Sequence, residues 1–164
     1  MSEYFFAGVA EIDITPEIGL PMDGYAARKD ANLGIHDPLM TQLLILQAGT
    51  SRVVIISLDV LAVSDVFTQP LRQMLATIVD TVPEAVVVCP SHTHCGPQGL
   101  QTWFPADAAP ALDTQLATFI QERLAKAAHE ALNDMESVQF VWNVGEVSGI
   151  GGDRNQPHAK VDSQ

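Results

Sequence analysis

Positive charge is scarce in this sequence. Lys and Arg number 8 against 20 Asp and Glu, a formal net charge of −12. A nucleic-acid groove or an anionic membrane surface needs clustered cations, so neither is an expected partner. Cysteine is nearly absent: Cys89 and Cys95 alone are too few for the disulfide framework of a small secreted domain. Cys89 ends an apolar run and reads as a buried thiol, and Cys95 is a weak candidate ligand beside two histidines. No apolar run approaches the roughly 20 residues of a membrane-spanning helix. The opening "MSEYFFAGVAEIDITP" lacks a basic leader region, so the expected location is cytoplasmic.

What is present is enough apolar material for a core. Hydrophobic residues make up 47% of the 164, and charged residues 17%. Residues 1–164 therefore read as one globular α/β domain that needs neither disulfide nor structural metal to fold.

The order of elements follows from periodicity. In "GVAEIDIT", Ala10, Ile12 and Ile14 alternate with Glu11 and Asp13, the pattern of a half-exposed strand. "PEIGLPMDGYAARKDANLGIHDP" is a long loop rich in Gly and Pro, a kind often functional in compact domains. "LMTQLLILQAG" and "RVVIISLDV" read as two strands joined by a hairpin-length turn at Gly49-Thr50-Ser51. The second is apolar at nearly every position and is expected to be buried on both faces. Leu71, Leu75 and Ile78 place a helix in "SDVFTQPLRQMLATIVDTV", with Pro70 suited to its first turn. "EAVVVCP" is a short buried strand. A second helix over about 111–133 carries Leu116, Phe119, Ile120, Leu124, Ala127 and Ala128 on one stripe. "SVQFVWNVGEVSGIGG" reads as a closing strand. This order predicts a mixed, partly parallel sheet with packed helices.

Chemistry concentrates in "VCPSHTHCGPQG". On extended backbone His92 and His94 would point to one face, two imidazoles at the carboxyl end of a strand. That pairing suits a divalent metal, zinc above all, and open α/β sheets bind ligands at such ends. The alternative is a pair of hydrogen-bonded loop histidines. Asp59 ends the run "VVIISLDV", where an unpaired carboxylate would be costly. It either orients a histidine through its other ring nitrogen or caps loop backbone. His36 lies on the Gly-rich loop and lines the same cleft or stands in solvent. His129 shares a helical face with Glu122, Lys126 and Asn133 and reads as surface. Arg154, in "GIGGDRNQP", is suited to gripping a substrate oxygen unless it is simply exposed.

Taken in order, "AGVAEIDITP", "MDGYA", "GIHDPL", "VVIISLDV", "SHTHCGPQG" and "GGDRNQP" resemble the N-terminal region of the neutral/alkaline ceramidase family. The resemblance covers essentially the whole chain. Its most specific piece is "SHTHCGPQG", with Cys95 where the family usually has Ser. It implies a zinc-dependent amidase that splits the N-acyl bond of ceramide. By resemblance His92 matches a zinc ligand, His94 a histidine assisting proton transfer, and Arg154 an arginine at the substrate end of the cleft. Asp59 matches the aspartate ending the family's central strand. The family's remaining zinc ligands, a histidine, a glutamate and a tyrosine, lie beyond the matched region. The chain is thus expected to be the N-terminal portion of a longer catalytic domain, its active site incomplete.

The expected partner is a small N-acyl molecule, either ceramide-like or smaller and not a lipid. A non-catalytic assembly fragment, self-associating through exposed apolar surface as a homo-oligomer, is the reading from another class. Amidohydrolase barrels carry their His-x-His after the first strand, whereas several elements precede it here. Metallo-β-lactamase-like hydrolases add a nearby Asp-His that "SHTHCGPQG" lacks.

Overall fold

The computed structural model describes residues 4–102 and 111–147. Five strands, β1 (Phe5–Asp13), β2 (Met40–Ala48), β3 (Ser51–Leu58), β4 (Val86–Pro90) and β5 (Glu136–Val138), form one sheet in the order β4-β3-β2-β1-β5. The β3–β4 pair is parallel and the other pairs are antiparallel. The helices α1 (Asp65–Val79) and α2 (Thr114–Asn133) pack on the sheet, so the expected mixed α/β architecture is present.

Strand alternation decides what each face meets. Ile12, Leu43, Ile45, Val54, Ile56, Leu58 and Val86 point to the helices and join Phe67, Leu71, Leu75, Ile120 and Leu124 in one buried core. At Gly8 of β1 the sheet lies close against α2. A Cβ there would stand 1.9 Å from the carbonyl oxygen of Ala131, so only hydrogen fits between β1 and α2.

The second face differs from expectation. Val9, Leu44, Ile55 and Val87 are register partners in a row across four strands. No described helix covers that row: Val9 is 57% exposed, Ile55 37% and Val87 42%. The expectation that β3 is buried on both faces is therefore corrected, because both helices lie on the other side. Cys89 falls with it. Paired with Ser57 on the open face, it is an exposed thiol and not a buried one.

Capping explains the helix boundaries. The Ser64 carbonyl accepts from Phe67 N and Thr68 N at 3.0 Å, which starts α1 at Asp65. Pro70 consequently sits in the second turn and not the first; Val66, whose carbonyl loses its partner there, is exposed. Asp80 closes the helix in a left-handed conformation (φ 58°). Asp113 caps α2 through Oδ1, which accepts from Gln115 N and Leu116 N at 3.0 Å. The closing strand is shorter than expected. β1 begins at Phe5, which already pairs with Val138, so β1 offers no further strand residue, and 139–147 are irregular.

Candidate functional site

β3 and β4 run parallel, so both deliver their carboxyl ends to the same edge of the sheet. β4 stops at Pro90, and Ser91 N and His92 N donate to Leu58 O (2.9 Å) and Val60 O (3.1 Å) of the segment leaving β3. His92 then turns with φ 62°, a left-handed conformation uncommon outside glycine. The two histidines therefore do not share a face through strand alternation. A left-handed turn brings their rings together, with centroids 5.2 Å apart at 77°.

His92 is oriented by backbone. Its Nδ1 lies 2.9 Å from the carbonyl oxygen of Leu61, which accepts the Nδ1 proton and leaves Nε2 without a protein partner among the described residues. That tautomer is the one an Nε2-ligating histidine needs. Asp59 does not take the orienting place. Its Oδ2 accepts from Met40 N at 3.1 Å, the backbone-capping alternative.

The long loop locks the second histidine. Met22 and Pro97 form a bridge, and Asp23 N donates to Gly96 O at 3.0 Å, so the "MDGYA" and "SHTHCGP" segments are stitched together. Arg28 Nη1 donates to His94 O (2.9 Å) and Asp23 O (3.2 Å), and its guanidinium lies 4.8 Å above the Tyr25 ring. Tyr25 meets His94 edge-on at 5.0 Å. Gly24 (φ 106°) has His94 atoms 2.7 Å from where a Cβ would stand. Under this loop Asp23 is only 6% exposed and takes Gln101 Nε2 at 3.3 and 3.4 Å. Burial holds its carboxyl above the ordinary carboxylate value, against the Gln101 and Gly24 hydrogen bonds and the nearby His94, all of which pull it down.

Asp23, Tyr25 and Arg28 are the site residues that sequence reading passes over. A signal existed in Asp-Gly-Tyr within a long ordered loop, but nothing local shows that Asp23 meets Gln101 across the chain.

A pocket of about 580 Å³ is lined by His36, Asp59, Thr93 and Cys95 among others. The structure thus brings His36 and Asp59 to one cleft bordered by the histidine loop. His36 itself is largely solvated, with Nδ1 donating to Asp37 Oδ2 at 2.7 Å. His92 borders a second pocket, of about 400 Å³, beside α1. His129 is exposed on α2 as expected. Arg154 lies outside the described residues. Among the described residues no three His, Cys, Asp or Glu side chains gather as a metal would require.

The fold and site together define a mixed α/β domain with a histidine pair at the carboxyl end of its parallel strands. Residues 5–159 match the family model for neutral/alkaline non-lysosomal ceramidase, N-terminal, and the chain belongs to that family. The fold is similar to that of neutral ceramidase from Pseudomonas aeruginosa, at TM-score 0.70 and 18% identity, over 84% of this chain and 23% of that one. A structure described as ceramidase complexed with C2 is similar at TM-score 0.68 and 18% identity, over 83% and 22% of the two chains. The chain thus spans less than a quarter of these neighbours' length. No curated protein sequence matches it.

Proposed function

We propose that this chain is the N-terminal portion of the catalytic domain of a zinc-dependent amide hydrolase acting on the N-acyl bond of ceramide or a related N-acyl substrate. The observation that carries the reading is His92. A backbone carbonyl holds its Nδ1 proton, its Nε2 has no partner among the described residues, and its ring centroid lies 5.2 Å from that of a second imidazole. The donor set fits part of a zinc site, since a catalytic zinc takes about three protein ligands. His92 would hold the metal through Nε2. Zinc, when bound there, would supply water of lowered pKa and polarise the acyl carbonyl.

The chain's own residues do the rest. Hydrolysis joins a water oxygen to the carbonyl carbon and breaks the C–N bond, leaving a carboxylate and an amine. His94, between His92 and Tyr25 with its carbonyl held by Arg28, gives the departing nitrogen its proton in this reading. Asp59 and His36 line the adjoining cleft, where the N-acyl substrate enters. Arg154 grips a substrate oxygen.

Fatty-acid release from ceramide and from short N-acyl amines by the longer catalytic domain of which this chain is the N-terminal portion, measured with and without zinc, tests the reading. Zinc-dependent release is expected, abolished in His92→Ala and reduced roughly 100-fold or more in His94→Ala. Release that persists in His92→Ala would contradict it.

A second reading is favoured by the apolar row Val9–Leu44–Ile55–Val87, which no described element covers. In it the chain is an assembly fragment that buries this face in a homo-oligomer. A longer catalytic domain that binds zinc at His92 yet releases no fatty acid would favour that reading.

A further inference from the structure

His92 is aimed by a hydrogen bond, whereas the ring of His94 has no hydrogen-bond partner among the described residues and takes its direction from packing. We infer that Arg28 is a positioning residue for His94, fixing its backbone directly and its ring through Tyr25. The inference rests on the reading of His94 as the proton donor and names what aims it.

Tyr25 and Arg28 close a turn. Arg28 N donates to Tyr25 O at 2.9 Å, and the Arg28 side chain returns over the Tyr25 ring with its guanidinium 4.8 Å from the centroid. The two N–H groups of Nη1 then go to two carbonyls, His94 O at 2.9 Å and Asp23 O at 3.2 Å, one in each of the stitched segments. One guanidinium thus ties the backbone of His94 to the wall its ring leans on. Tyr25 meets that ring edge-on at 5.0 Å, and His92 meets it at 5.2 Å. Tyr25 is itself 57% exposed, so burial does not hold its ring in place and the guanidinium stack does.

Charge pairing is not what Arg28 does. Acidic residues outnumber basic ones 20 to 8, yet among the described residues no carboxylate pairs with Arg28. Its planar fork is spent on backbone oxygens and a ring face, a combination that the single ammonium of a lysine does not reproduce. Displacing a reacting group by about 1 Å costs on the order of 100-fold in rate, so a residue that only aims His94 still registers in turnover.

Histidine-ring spectra of the full chain test the positioning without turnover. In Arg28→Gln the cross-peaks between the His92 and His94 rings are expected to vanish and the His94 ring resonances to move, while those of His129 stay put. Arg28→Lys should fall between, and Tyr25→Leu should repeat the Arg28→Gln result. Unchanged His94 resonances and cross-peaks in either Arg28→Gln or Tyr25→Leu would overturn the inference. In the longer catalytic domain, Arg28→Gln should lower kcat roughly 10- to 100-fold with KM within about threefold of wild type. Added to His94→Ala, it should cost nothing further. Losses that multiply would overturn the inference too, because Arg28 would then act apart from His94. A catalytic domain inactive even in wild type would count against the hydrolytic reading and leave the ring spectra to decide on Arg28. Should Arg28→Gln fail to fold, Tyr25→Leu, which leaves Arg28 and both carbonyls in place, decides.

Discussion

Asp23 and Gly24 are where single residues carry the most consequence. Desolvation raises the Asp23 carboxyl above its ordinary 3.8, so the folded chain holds that proton more tightly than the unfolded chain does. The neutral acid therefore favours folding. That contribution is complete below pH 3.8 and is lost as pH rises through the folded value. Asp23→Asn, which keeps an acceptor for Gln101 and removes the buried charge, is expected to unfold at a higher temperature than wild type at pH 7. The gap should close at pH 3, as thermal melts at the two pH values will show. Gly24→Ala meets two obstacles, a φ of 106° and His94 atoms 2.7 Å from the new methyl. It should cost about 1–3 kcal/mol and displace His94. Chemical denaturation gives the first quantity, and the His94 ring resonances, altered while those of His129 stay put, give the second.

Helix and strand show how far periodicity carries. Gly8→Ala is predicted to lose at least about 1–3 kcal/mol, because its methyl would overlap the Ala131 carbonyl and push α2 from β1. Urea titration measures this, and hydrogen exchange should weaken first in the last turns of α2. Alternation in β1 and the stripe on α2 were legible because burial there is one-sided: Ile12 is 8% exposed, while Ile120 and Leu124 are fully buried. The same rule misreads β3. An all-apolar strand implies two covered faces, yet Val53 and Ile55 face outward, since coverage belongs to elements far along the chain. The bend at His92 was equally hidden. A positive φ at a histidine follows from hydrogen bonds to Leu58 and Val60, some 30 residues earlier, and not from its neighbours. His92 and His94 could be paired from spacing, but their partners could not: the Leu61 carbonyl and the Tyr25–Arg28 clamp are tertiary contacts.

For the molecule as a whole, the one-sided sheet is the governing feature. A row of Val, Leu, Ile and Val open to solvent favours association, and the chain spans under a quarter of its structural neighbours. Light scattering is expected to show concentration-dependent self-association, shifted toward monomer by Ile55→Lys. That substitution on an uncovered face should change stability by less than about 1 kcal/mol. An equally associated Ile55→Lys protein would mean that another surface is responsible.

Nitrogen-15 spectra of the histidine rings during zinc titration most directly test the proposal that His92 ligates zinc through Nε2. His92 is expected to respond at Nε2 while Nδ1 keeps its proton against Leu61, His94 to shift with it, and His92→Ala to abolish the His94 response. A titration in which His36 or His129 responds while His92 stays unchanged would contradict it.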